Sequence, residues 1–140
     1  MALTDLLGIE VISKTDYRVE ATMPITPDLY QPFGFLHGGA TIALLETVAS
    51  VGTEQRTEYH TERPFGVDVQ IRHRKSGKDG LLHGIAELTS DEPSSAGGRK
   101  QSWAVTALDD EGDVISEGTI LTRIVPLTRL AEIQRERESA

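Results

Sequence analysis

The sequence predicts an α+β fold in which an antiparallel β-sheet wraps around one long central α-helix. Three observations predict it. The run from Ala40 to Val51 carries Ala40, Ile42, Ala43, Leu44, Leu45, Val48, Ala49 and Val51 and leaves almost no polar face, so it should form a helix buried on most sides. Beyond it, Val67, Val69 and Ile71 alternate with Asp68, Gln70 and Arg72, the period of a half-buried strand. Turn signals then recur at short spacing and mark off three further strands, which gives an order of strands, one long helix, then four strands.

Each element has its own reason. Leu3 to Leu7 can form one short helical turn. Ile9 to Ser13 and Tyr17 to Met23 read as two strands separated by Lys14-Thr15-Asp16, a hairpin. Pro24 and Pro27 interrupt any regular ladder, so the segment to Phe35 is expected to be a loop that brings Gln31 to the start of the central helix. Thr53 to Arg63 is polar and closes that helix, and Pro64 marks a break before the strand that begins at Phe65. A turn at Ser76-Gly77-Lys78-Asp79-Gly80 leads into Leu81 to Leu88, and the loop Pro93-Ser94-Ser95-Ala96-Gly97-Gly98 leads into Gln101 to Leu108. Asp109 to Asp113 is a turn, and Val114 to Ile124 is the last strand. After Pro126, Leu127, Leu130 and Ile133 fall at helical spacing among alternating charges, so Leu127 to Glu138 is expected to be an amphipathic helix that docks on its own subunit or a neighbour. With no internal repeat and no linker, residues 1–140 are expected to be one domain, of which 127–140 form a C-terminal helical tail.

Composition narrows the function. A hydrophobic content of 38% with 26% charged residues is ordinary for a soluble globular chain, and no apolar run approaches the ~20 residues that span a bilayer. The N-terminus lacks a charged region followed by an apolar stretch, so no signal peptide is expected, the protein should be cytoplasmic, and no membrane partner is implied. The absence of cysteine excludes disulfides, cysteine nucleophiles and thiolate metal sites. A net charge of −8 argues against nucleic acid as a partner.

One ionisable residue, Glu46, sits within the apolar helix, and a carboxylate taken out of water without a partner costs several kcal/mol. It lies either on a narrow solvent strip or in a functional position. Its helical neighbours Ile42, Ala43, Ala49 and Ser50 make a small apolar face with one hydroxyl, suited to the floor of a pocket. At the start of the helix, His37-Gly38-Gly39 is either a flexible beginning or a set of backbone N–H groups without intrahelical acceptors, where the helix dipole adds positive charge. A carbonyl oxygen gaining negative charge would be stabilised there, and glycine lets a ligand approach the backbone.

These residues carry a resemblance. Gln31-Pro32-Phe33-Gly34, then Leu36-His37-Gly38-Gly39-Ala40, then Glu46 and Ser50 resemble the central-helix motif of the hot-dog-fold acyl-CoA thioesterases. The branch resembled is that of the hydroxybenzoyl-CoA and 1,4-dihydroxy-2-naphthoyl-CoA thioesterases, within the PaaI-like superfamily, which carry Glu at the Glu46 position. More weakly, the resemblance runs from about Gly8 to Val125, and it says nothing about the tail. It implies a hot-dog fold and hydrolysis of an acyl-CoA thioester in which Glu46 acts as nucleophile or general base. Gly38 N–H and the Gln31 amide would polarise the carbonyl, His37 would help place the thioester or departing thiol, and Ser50 would touch the acyl group. It also implies a homodimer or homotetramer with shared sites, and no cofactor beyond the coenzyme A carried by the substrate.

Four of the fourteen Lys and Arg residues fall between Arg72 and Lys78, and Arg99-Lys100 follow the Gly97-Gly98 pair. Basic side chains beside glycine N–H groups suit phosphates, although a solvated strand end reads the same way. The family's nucleotide contacts carry over onto Gly66, His73, Lys75, Ser76, Gly97 and Arg99, with Gly98 alongside. Two departures stand out, Arg74 in an apolar position and Lys100 where a His is found. Other chemistries fare poorly. The nearest approach to a nucleophile elbow, Val114-Ile115-Ser116-Glu117-Gly118, lacks the first glycine. The four histidines show no metal-ligand spacing, so no metal is expected. Trp103 reads as a core or interface aromatic. Phe33, Phe35 and Phe65 are compatible with an aryl acyl group. A non-catalytic acyl-CoA-binding module remains the alternative, and a hydratase the weaker third.

Overall fold

The computed structural model describes residues 1–95 and 97–139; Ala96 of the expected loop and Ala140 of the expected tail lie outside the described residues. The elements in chain order are α1 (Leu3–Leu7), β1 (Glu10–Lys14), β2 (Arg18–Pro24), a 3-10 turn (Pro27–Leu29), α2 (Gly38–Gln55), β3 (Glu62–His73), β4 (Leu81–Pro93), β5 (Arg99–Leu108), β6 (Val114–Pro126) and α3 (Leu127–Ser139). The six strands form one antiparallel sheet in the order β1-β2-β4-β5-β6-β3, and the 18-residue α2 packs across it. This is the α+β architecture expected from the sequence, and its sheet-around-helix arrangement is the hot-dog fold.

α2 lies on the sheet because its buried residues, Thr41, Leu44, Leu45, Val48, Ala49, Gly52 and Thr53, recur at three- and four-residue spacing and form one stripe. The stripe meets Val19, Met23, Leu82, Val105 and Ile120 from the sheet, all of them buried. Each leucine so enclosed contributes roughly 1.5–3 kcal/mol. Trp103, fully buried, fills the space over Gly52, where a methyl group would fall 2.3 Å from its ring. The expectation of a core aromatic is met.

Two boundaries differ from the sequence reading, each for a physical reason. Thr53 was expected to end the helix, yet it continues it, because its hydroxyl bonds to the Ala49 carbonyl at 3.0 Å, pairs with Thr122 at 2.7 Å and accepts from Trp103 Nε1 at 3.1 Å. The polar side chain is satisfied inside the core, so it carries no desolvation penalty. Pro64 was expected to precede its strand, yet β3 begins at Glu62 and includes it. β3 is an outer strand paired only with β6, the kind of strand in which proline is tolerated because its open side has no ladder to interrupt.

Candidate active site

The loop before α2 is shaped by its own polar groups. Gln31 Oε1 accepts the Phe33 N–H, and the Gln31 N–H reaches back to the Phe35 carbonyl at 2.8 Å. Because the atom facing an N–H donor must be the amide oxygen, Nε2 of Gln31 is left to donate outward. His37 caps α2: its Nδ1 accepts from the Gly39 N–H at 2.8 Å. Nδ1 is therefore unprotonated, and in the neutral ring the proton sits on Nε2. Of the two glycine N–H groups at the helix start, Gly39's is thus consumed, whereas that of Gly38 finds no acceptor among the described residues. His73 packs against this point. A methyl group on Gly38 would fall 2.7 Å from His73 Nε2, while the other ring nitrogen bonds to the buried Ser116 hydroxyl at 2.6 Å.

Glu46 stands where the two readings of the sequence meet, on an exposed strip of α2 that also floors a groove. α2 is buried along one stripe only, and Glu46 is exposed on its other face with no hydrogen-bond or ion-pair partner among the described residues. It stands over Gly66 on β3, close enough that a side chain there would meet its Oε1 at 3.0 Å. The face carries a groove of 450 Å³, floored by Ala43, Glu46, Ser50 and Glu54 and walled by Leu3 and Val11 from the N-terminal segments. Ser50 is half-buried at its floor. Gly38 and Glu46 are eight residues apart on the helix, which is ~12 Å along its axis. The lean of the Glu side chain toward the N-terminus shortens that gap without closing it.

The basic residues divide into two groups within one subunit. His73, Arg74, Lys75 and Ser76 lie at the end of β3 opposite Ser116, whereas Arg99 pairs with Ile124, eight residues further along β6, or ~26 Å at ~3.3 Å per residue. Several of them are already engaged. Lys75 bonds to Asp109 at 2.9 Å and to Asp113 at 2.8 Å, bonds that hold its pKa well above the usual lysine range and pull that of Asp109 down. Arg74 meets Glu117 at 3.2 Å and Arg99 meets Asp91 at 2.8 Å. Among the described residues Lys100 has no such partner. Gly97 and Gly98 adopt positive φ, and a side chain on Gly98 would strike the Ile124 carbonyl at 2.0 Å, so these glycines shape the turn whatever else they do.

Of the three phenylalanines, Phe33 is 83% exposed, Phe35 sits on the loop and Phe65 lies between a groove against α3 and a smaller cavity that it shares with Ser50, Glu54 and Gly66. None lines the groove at Glu46. Sequence reasoning passed over Glu54, which lines that groove two turns beyond Glu46; the four-residue step Glu46, Ser50, Glu54 was the available signal. It set Ser116 aside as a nucleophile without anticipating its bond to His73, which runs between neighbouring strands and leaves no trace in local pattern.

Among known proteins, the 1,4-dihydroxy-2-naphthoyl-CoA hydrolase of Escherichia coli is 32% identical over 110 residues, covering 79% of this chain and 76% of that one. The proofreading thioesterase EntH of Cronobacter turicensis is 33% identical over 110 residues, with the same coverage of 79% and 76%. A thioesterase from Staphylococcus aureus superposes with a TM-score of 0.82 at 29% identity, covering 89% of this chain and 98% of that one. No family model matches the chain.

Proposed function

The chain belongs to the hot-dog thioesterase family, and from that premise we propose that it hydrolyses an acyl-CoA thioester with Glu46 as nucleophile or general base. The observation that carries the reading is the pairing of an unpartnered carboxylate on the open face of α2 with two unused donors, Gln31 Nε2 and Gly38 N–H, at the helix start. Those donors, aided by the helix dipole, stabilise the oxygen of a thioester carbonyl as it becomes an oxyanion. His37, with its proton on Nε2, places the thioester or meets the departing thiol, and Ser50 contacts the acyl group.

Two routes are open to the carboxylate. As a base it takes a proton from water while the oxygen adds to the carbonyl carbon, and collapse of that adduct breaks the C–S bond and releases the thiol. As a nucleophile its oxygen adds to the carbonyl carbon and the C–S bond breaks to expel the thiolate, leaving an acyl anhydride on Glu46 that water then opens to the free acid and the restored carboxylate. A single turnover in isotope-labelled water separates them, because only the anhydride route can place label in the protein.

The ~12 Å between Gly38 and Glu46 is more than one carbonyl group bridges, which supports a site completed by Glu46 of a second copy in a homodimer or homotetramer. The same assembly would bring the two basic groups, ~26 Å apart in one chain, to a common nucleotide. Gly66, His73, Arg74, Lys75, Ser76, Gly97, Gly98, Arg99 and Lys100 are then its contacts. An aryl acyl group is supported by the naphthoyl substrate after which the E. coli relative is named and, in this chain, by Phe65 beside Ser50 and Glu54.

Glu46→Gln is the deciding experiment. Exposed and unpartnered, Glu46 contributes little to folding, so the variant should keep its melting temperature and its acyl-CoA affinity while turnover disappears. Retained turnover would remove Glu46 from the mechanism.

A further inference from the structure

The groove beside Glu46 carries information about the acyl group. Glu46, Ser50 and Glu54 follow one another at four-residue steps along its floor, so hydrogen-bonding groups stand at intervals of ~6 Å, with Glu54 ~12 Å from Glu46 along the axis. Leu3, Ile9, Val11 and Val51 line the space apolarly. Two carboxylates and no Lys, Arg or His face it, and the Glu54 carboxylate accepts no hydrogen bond among the described residues. An acyl group reaching along this floor from a carbonyl held at Glu46 thus meets apolar walls, then a hydroxyl, then an acceptor that bears negative charge.

We propose that Glu54 is a specificity-determining residue, selecting acyl groups that end in a hydrogen-bond donor, ammonium or hydroxyl, and excluding those that end in a carboxylate. The inference rests on the reading of Glu46 as the reacting group. Like-charge contact in a groove to which the described residues of this chain contribute no cation disfavours the anionic end, and a donor end gains a charge-assisted hydrogen bond. Neither effect needs an aromatic side chain in the site.

The test uses the intact protein and four CoA esters of one biphenyl acyl skeleton, substituted at the far para position with methyl, hydroxyl, aminomethyl or carboxylate. The unmodified protein should hydrolyse the aminomethyl and hydroxyl esters with kcat/KM at least about tenfold above the carboxylate ester, the size of one charged hydrogen bond. Glu54→Gln should collapse the gap between the aminomethyl and carboxylate esters, and Glu54→Arg should reverse it. Both changes are at an exposed position, and the methyl ester reports in each variant that the site still works. A gap that persists unchanged in Glu54→Gln overturns the assignment of Glu54 alone, leaving the thioesterase reading in place. Failure of the unmodified protein to hydrolyse any of the four overturns this inference, whereas the role of Glu46 stands or falls separately with Glu46→Gln.

Discussion

Replacing Gln31 separates the shape of the loop from its chemistry. Its side chain does two things, since Oε1 accepts the Phe33 N–H and Nε2 is presented outward. Gln31→Ala loses both. The lost hydrogen bond is worth about 0.5–1.5 kcal/mol, and the melting temperature should fall by roughly 2–6 °C. Removal of one oxyanion donor costs about 10²–10³ in turnover, and the half-buried position of Gln31 places this case near a hundredfold, or ~2.7 kcal/mol. Gln31→Glu loses only the donor. Its carboxylate still accepts the Phe33 N–H, as a charge-assisted bond about twice as strong. The melting temperature should therefore rank Glu at least equal to Gln and both above Ala, whereas turnover should rank Gln above Ala and Ala at least equal to Glu. Thermal unfolding by circular dichroism and release of free thiol from an acyl-CoA ester measure the two orders. Turnover that follows the melting temperature, with Gln31→Glu close to the unmodified protein, would show that Gln31 acts only by holding the loop.

Further outcomes follow from other parts of the structure. Gly52→Ala places a methyl group 2.3 Å from the buried Trp103 ring, whose Nε1 is pinned by Thr53 and Thr122, so overpacking of about 1–3 kcal/mol should outweigh the helix propensity gained. Calorimetry should show a lower melting temperature. Asp91 would be raised by burial, but donors from Arg99, Arg56 and Gln101 outweigh that and hold its pKa below the usual carboxylate value. Its stabilising contribution is thus complete above the unfolded pKa of about 3.9 and is lost as pH falls through the lower folded value, so Asp91→Asn should flatten the decline of melting temperature below about pH 4. Lys75→Ala leaves Asp109 and Asp113 uncompensated; KM for an acyl-CoA should rise with kcat nearly unchanged, and the same acyl group on pantetheine should show no change.

Local pattern revealed most of the fold because most of it is locally encoded. The alternation of Val67, Val69 and Ile71 located β3, although Val67 and Val69 stand exposed there at and beyond a register shift between Gly66 and Asp68, and the apolar run from Ala40 to Val51 located α2. What sequence could not show was which side of α2 stays open, since Ile42, Ala43 and Val51 are as apolar as Leu44 and Val48 yet only half-buried in the subunit. For that reason the sequence left Glu46 between a solvent strip and the floor of a pocket. Thr53 and Pro64 were misplaced because the satisfaction of a buried hydroxyl and the position of a strand at a sheet edge are set by partners distant in the chain. The basic segments read as one patch in sequence, and only the register of β3 and β5 on β6 reveals their separation.

The division of α2 into two faces also bears on how such a protein can change. The stripe from Thr41 to Thr53 carries the burden of folding, while Ala43, Thr47, Ser50 and Val51 on the other side border the groove, and of these four only Val51 also packs against the core. Substitutions at exposed or half-exposed positions away from special features usually move stability by no more than about 0.5 kcal/mol. The groove can therefore be reshaped one residue at a time without approaching the threshold at which the chain fails to fold. A library confined to those four positions and Glu54 should yield mostly folded proteins with diverging acyl preferences, a head start for laboratory selection and the route by which one ancestral scaffold could come to serve many acids.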